Sequence, residues 1–374
     1  MHVGVAKTGT TYLQRILFAH RDVLRSAGLL YPGRRSGDQY VASLDLRGLD
    51  DGKFEHLKAA GGGDKIADEV RRYDGNALIS HETLARCSTA EIRRVVESCG
   101  GELRVVLTVR DLGRQVPTVW QETLKNRAVS SYDEFLQDVF VHTDSGEHKF
   151  FWKPQDVSKV VRRWGRQVGP NNVTIVTVPP SGAPRDELWM RFAQAVELPD
   201  VPIELPAGAS NTSLGPAEAE LLRHLNAVLP EDLPWRRYAR VVKRQLAEHK
   251  LAQRESSRIV VPPQWHDAVR TRAAAMVDFI EGSGCRVVGD LADLNPALQS
   301  VAVSGPDDLS RDQLLDVAAE VLRDYVLAPQ GRRSRSSAGV ADELAVGRLR
   351  SWATAVRAAT AAGTSAVSRR LARG

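Results

Sequence analysis

The stretch that most limits how this chain can fold is His2-Val3-Gly4-Val5-Ala6-Lys7-Thr8-Gly9-Thr10-Thr11, running directly into Tyr12-Leu13-Gln14-Arg15-Ile16-Leu17. It predicts a short buried strand, a turn holding Gly4, Lys7 and Gly9, and a helix whose start is rich in hydroxyls. Glycines let backbone wrap closely round an anion, helix-start N–H groups donate to it, and Lys7, Thr10 and Thr11 add charge and hydroxyl donors. Met1 to Val5 are the only material for a central strand, so either that strand is very short or the natural chain starts upstream of Met1.

The order of residues restricts which phosphate such a cradle takes. A Walker A loop places Lys directly after its last Gly and follows it with Ser or Thr for magnesium, whereas Lys7 stands two residues before Gly9. Beyond the loop, Ala77-Leu78-Ile79-Ser80, Leu103 to Val109 and Val173 to Val178 are short, bounded, mostly β-branched or apolar runs, the pattern of strands buried on both faces. Helical spacing is expected from Leu13 towards Gly28, over 54–72 with a break at Gly61-Gly62-Gly63, over 89–99, from Thr118 to Lys125, from Tyr132 to about Val141 and from Gln155 to Val168. The polar segment 34–53 reads as irregular surface. Strands alternating with helices predict an α/β fold with a parallel sheet flanked by helices, its ligands beyond the carboxyl ends of the strands. Lys7, His81 and Arg110 all fall at such ends.

Past residue 200 the pattern is mainly helical, with short strands possible at Ile259-Val260-Val261 and Arg286-Val287-Val288. The expected organisation is a domain over 1–328, with its core in 1–200 and a helical cap in 201–328. An Arg-Ser-Gly linker at 329–339 and a basic, Ala-rich helix or tail at 340–374 complete it, the tail offering peripheral contact with an anionic membrane surface. No apolar run approaches the roughly 20 residues of a membrane span and no signal-type leader precedes the loop, so the expected address is the cytoplasm. Cys87, Cys99 and Cys285 lack metal or redox spacing and read as reduced packing residues. A net charge of +5 favours an anionic ligand without arguing for nucleic acid.

A second constellation follows the strongest strand. Arg110 ends it, and Thr118 comes eight residues later in Arg110-Asp111-Leu112-Gly113-Arg114-Gln115-Val116-Pro117-Thr118. A guanidinium at a strand end and a hydroxyl one to two turns into the next helix can grip a phosphate monoester from two sides.

Lys7-Thr8-Gly9-Thr10-Thr11-x-Leu13 resembles the 5'-phosphosulfate loop of sulfotransferases that use 3'-phosphoadenosine-5'-phosphosulfate (PAPS). The Arg110 to Thr118 spacing resembles their 3'-phosphate motif, with Thr118 in place of the usual Ser. The resemblance covers about residues 2–200. It implies the P-loop-like sulfotransferase fold with a helical C-terminal part, and transfer of a sulfuryl group from PAPS to a hydroxyl or amine of a carbohydrate, lipid or small-molecule acceptor, without a metal. By the same resemblance, Lys7, Thr8, Gly9, Thr10, Thr11, Arg110 and Thr118 would hold the donor, Lys7 would neutralise the leaving oxygen, and His81 occupies the position of the catalytic base. Glu82 is the second candidate for the base or the residue that orients His81, with Asp38 and Asp111 behind it. The C-terminal Arg-Lys-Gly of many cytosolic sulfotransferases is missing, and the turn Ser210-Asn211-Thr212-Ser213-Leu214 is a candidate substitute or a plain helix cap. A P-loop kinase or NTPase, which would want an Asp where Arg110 ends its strand, and a non-catalytic nucleotide-binding protein of the same fold are the competing readings.

Overall fold

The computed structural model describes residues 1–48, 62–144, 146–198, 201–205, 213–299 and 305–327. The linker and tail expected at 329–374, and residues 210–212 of the candidate substitute turn, lie outside them. Among the described residues there are five strands: β1 (Leu29–Leu30), β2 (Asn76–Ala77), β3 (Val105–Val109), β4 (Val173–Thr177) and β5 (Arg286–Val288). β1 pairs with β2, and β3 pairs with β4, which pairs with β5, all parallel.

The opening segment joins the two sheets. His2 bridges Ser80 on one side and Val106 on the other, both in parallel register. His2 N–H donates to Ile79 O (2.7 Å), Val3 N–H to Val106 O (2.8 Å) and Val5 N–H to Thr108 O (3.3 Å). The spatial order is therefore β1, β2 with its extension to Ser80, residues 1–5, β3, β4, β5. The chain moves outward to β1, returns beside the centre at β2 and crosses to β3, so the order reverses between residues 1–5 and β3, the place where parallel α/β sheets leave a crevice at the carboxyl ends of their strands.

Alternation along the strands fills two layers. Val3, Val5, Val105, Leu107 and Val109 face one cluster with Val157, Val161, Trp164, Met276 and Ile280. Val106 and Val176 face the other, with Leu13, Ile16, Leu17, Trp189 and Phe192. Each fully buried aliphatic side chain contributes about 1.5–3 kcal/mol. His2, Gly4 and Thr108 share the second face in place of apolar residues, and both His2 and Thr108 are completely buried.

Several expectations need correction. Residues 38–47 form a helix, Asp38–Arg47, instead of irregular surface. Asp38 Oδ2 takes the Arg34 and Arg35 N–H groups (2.8 and 2.9 Å), and Gln39, Ala42, Ser43 and Leu46 make a buried stripe that polar composition hides. The helix after the loop breaks at His20 into Thr10–Ala19 and Arg21–Ser26. An additional helix, Gly146–Gln155, precedes Val157–Val168, and Asp156 caps the second by accepting from Lys159 N–H (3.1 Å). Of the expected 54–72 helix the described part is Gly62–Arg71. Ile259 to Val261 form no strand, while Arg286 to Val288 do.

By contacts the chain divides into two compact units. One comprises Met1–Val119, Leu136–Ala209 and Val261–Val301 and holds the sheet. The other takes Trp120–Phe135 with the described residues of 210–260 and 302–374; its helices include Pro216–Val228 and Arg311–Leu327. In it Asn226 Nδ2 donates to Leu124 O and Ala128 O (both 2.8 Å), and Tyr238 Oη donates to Asn226 Oδ1 (2.7 Å). No helix among the described residues is long and apolar enough to cross a membrane. Cys87, Cys99 and Cys285 are free thiols.

Candidate functional site

The turn at the end of the central segment has an unusual backbone. Lys7 sits at φ 71° and Gly9 at φ 86°, both left-handed. For Lys7, a residue with a Cβ, that conformation costs about 1–3 kcal/mol. A Cβ on Gly9 would also meet Leu188 Cδ2, so a side chain there would need both a left-handed backbone and a shifted leucine. Gly9 is the N-cap of helix Thr10–Ala19 and no side chain caps that helix. Its first-turn N–H groups, which ordinarily take a capping oxygen, are thus left to an external acceptor, and the helix dipole favours an anion there.

The three threonines differ. Thr8 is buried and its hydroxyl donates to Val5 O (2.5 Å), so only its backbone N–H faces a ligand role. Thr10 Oγ1 is buried without a hydrogen-bond partner, an orphan of the kind that marks a strained or ligand-directed group. Thr11 is exposed. Gln115 Nε2 ties the turn down from below, donating to Ala6 O (2.5 Å) and to Gln155 Oε1 (3.0 Å).

Arg110, one residue past β3, reaches the loop directly: its Nη1 donates to Lys7 O at 3.2 Å. The neighbouring charges have structural duties. Asp111, 3% exposed, accepts from Arg114 N–H (3.0 Å) and pairs with the Arg114 guanidinium, which also donates to Pro179 O (2.9 Å). That pair closes the helix start and leaves Asp111 no room to serve as a base. Thr118 Oγ1 donates to Arg114 O (2.7 Å) within its own helix, so its proton is already engaged.

His81 follows the Ser80 bridge on the other side of the central segment, and it is buried. The Thr83 backbone N–H, which cannot rotate away, donates to His81 Nδ1 (3.2 Å). Nδ1 is therefore the bare nitrogen and the neutral ring carries its proton on Nε2, the nitrogen facing Glu82 Oε2 at 3.9 Å. Burial pushes the His81 pKa down, and the Arg47 charge adds to this while Glu82 opposes it. Glu82 Oε2 is itself buried with no hydrogen-bond partner. Tyr40 packs its ring 5.1 Å from the His81 ring, and the Tyr31 hydroxyl is pushed up by burial and, secondarily, by Glu82. Asp38, the remaining candidate base, is occupied in the turn before its helix.

Lys7, Gly9 and Arg110 are thus gathered at the switch point, with His81 and Glu82 at the end of the adjoining strand and Thr118 two turns along the helix that follows Arg110. Sequence reasoning missed His2, Thr108, Ser80 and Gln115. Two of them carry a readable signal: His2 and Thr108 are polar residues inside otherwise apolar strand runs, which in a buried strand demands hydrogen-bond partners. No family model, curated protein or solved structure matches the chain.

Proposed function

We propose that the chain is a PAPS-dependent sulfotransferase acting on a hydroxyl or amine of a carbohydrate, lipid or small-molecule acceptor, within a P-loop-like sulfotransferase fold. The observation that carries this reading is the meeting of two separate motifs: the Lys7 carbonyl, in a turn that leads to an uncapped helix start, receives the Arg110 guanidinium. Two anion-binding elements with different sequence origins so adjoin at the crevice of the sheet. A donor with a phosphate at each end of its ribose calls for two adjoining anion-binding elements.

The residues fit the 5'-phosphate end well, because the uncapped N–H groups and the orphaned Thr10 hydroxyl supply donors. At the 3' end Arg110 supplies charge, and Thr118 contributes only by giving up its bond to Arg114 O. When bound, PAPS supplies an activated sulfuryl group on a phosphate leaving group. Lys7 neutralises charge developing on the bridging oxygen, and the acceptor oxygen forms its bond to sulfur as that bridge breaks. The acceptor's proton needs a base. We assign it to Glu82, since His81 already carries a proton on Nε2 and its Nδ1 is held by Thr83, and His81 stands beside the carboxylate with Nε2 at 3.9 Å.

Calorimetric titration with 3'-phosphoadenosine 5'-phosphate (PAP), ADP and GDP, with and without magnesium, tests the reading. PAP binding without metal and tighter than ADP or GDP supports it. Magnesium-dependent preference for a nucleoside diphosphate would replace it with the kinase or NTPase reading.

A further inference from the structure

Beneath the loop, four buried side chains form a hydrogen-bond chain whose direction follows from proton counting. Thr8 spends its hydroxyl proton on Val5 O (2.5 Å). Thr108 Oγ1, 2.6 Å from Thr8 Oγ1, must therefore be the donor of that pair. Its own acceptor side then faces His2 Nε2 at 3.3 Å, which places the ring proton on Nε2. His2 Nδ1 is left bare and accepts from Ser80 Oγ at 2.7 Å. Every member donates once, and the run crosses three strands of the sheet to end on the carbonyl of the residue where the turn begins.

The arrangement has no slack. His2 is fully buried, with its ring edge-on to Phe192 at 4.9 Å. A Cβ on Gly4 would stand 2.6 Å from His2 Nε2, 2.8 Å from Thr10 Oγ1 and 2.9 Å from Thr108 Oγ1, so the chain is pressed against the backbone that leads into the turn. Burial holds the His2 pKa down near 3, and the neutral ring is the form that the direction of the chain requires.

We propose that His2 is a positioning residue which, through Thr108 and Thr8, locks the Ala6–Gly9 turn in its anion-receiving conformation. A neutral imidazole is the side chain that suits this place, since it accepts on one edge and donates on the other across the width of the central segment. The nature of the anion rests on the donor reading above; the locking of the turn does not.

The experiment compares the full-length chain with Thr108→Val, which removes the central hydroxyl, and Thr108→Ser, which restores it. Three readouts are taken: the imidazole 15N spectrum of His2, hydrogen exchange of the Leu13 amide, which donates to Gly9 O (3.1 Å) and ties the turn to its helix, and PAP affinity. The expected result is a bare Nδ1 and a protonated Nε2 in the parent chain. In Thr108→Val, exchange at Leu13 should accelerate beyond any change at core strand amides, and PAP should bind at least about fivefold more weakly, the low end for losing a buried hydrogen bond that holds the turn in its receiving conformation; Thr108→Ser should recover both. Protonation on Nδ1, or a Thr108→Val protein that loses thermal stability while its Leu13 exchange stays at the parental value, overturns the proposal. Should the parent bind no PAP, the donor reading falls, and the spectrum and the exchange data still decide the role of His2.

Discussion

Arg110→Ala separates two contributions of one side chain, a proposed grip on a phosphate and an observed bond to the turn. The first is a direct grip on a phosphate, a charge-assisted contact whose loss costs about 1.5–3 kcal/mol, or roughly tenfold to a hundredfold or more in Kd. The second is the bond from Nη1 to Lys7 O at 3.2 Å, which steadies the turn and contributes about 0.5–1.5 kcal/mol. Only the first depends on a 3'-phosphate. PAP should therefore lose both contributions, whereas adenosine 5'-phosphosulfate, which has no 3'-phosphate, should lose only the second. Calorimetric titration of the two ligands against parent and variant, in buffer without divalent metal, measures the difference. The predicted gap between the two losses is about the size of the direct contact. Equal losses would refute the assignment, because they would mean that Arg110 acts on the turn alone.

The remaining predictions concern the base and pH. Glu82→Gln should lower kcat about 10²- to 10⁴-fold for an alcohol acceptor and far less for an acidic phenol that arrives ionised, and His81→Ala should show a smaller loss with little dependence on acceptor pKa; the reverse pattern in steady-state rates would return the base to His81. His2 has its pKa lowered by burial from the ordinary 6.5 to about 3, so below pH 6.5 the unfolded chain binds a proton that the folded chain does not. Stability is thus fully present above the unfolded value and falls as the pH drops from about 6.5 towards 3, by up to about 1.4 kcal/mol per pH unit from this group. Urea titrations at pH 7 and pH 5 should show the loss, and His2→Gln should reduce it; an unchanged difference in the variant would assign the pH dependence elsewhere.

Where the determinants are local, the sequence alone was sufficient. The turn after Val5, the helix that starts at Thr10, the buried runs at 105–109 and 173–177 and the arginine at the end of the third strand all follow from neighbouring residues, because glycine conformations, capping and strand hydrophobicity act over a few positions. A capping box that the expectations above do not name opens the helix Thr89–Cys99: Glu91 N–H donates to Ser88 Oγ (3.3 Å) and Ser88 N–H to Glu91 Oε2 (2.6 Å). Arg47 then completes it from a distant helix, its Nε 3.0 Å from Glu91 Oε1, which no local rule foresees.

Tertiary structure alone decided which groups are spent and which remain at hand. Asp111 is a candidate base in one dimension and half of an ion pair in three. The resemblance puts His81 at the position of the catalytic base, yet its nitrogens are distinguished only once the Thr83 N–H is seen to point at Nδ1. The helix at Asp38–Arg47 stayed hidden because its buried stripe is completed by Gln39, whose amide is satisfied by Pro32 O (2.7 Å) and Ser80 N–H (3.0 Å), partners supplied by other parts of the chain. His2 and Thr108 lie 106 positions apart and meet across one strand spacing. A sequence records that both are polar; only the parallel pairing of residues 1–5 with β3, which sets them on the same face, makes each the answer to the other's unsatisfied hydrogen bond.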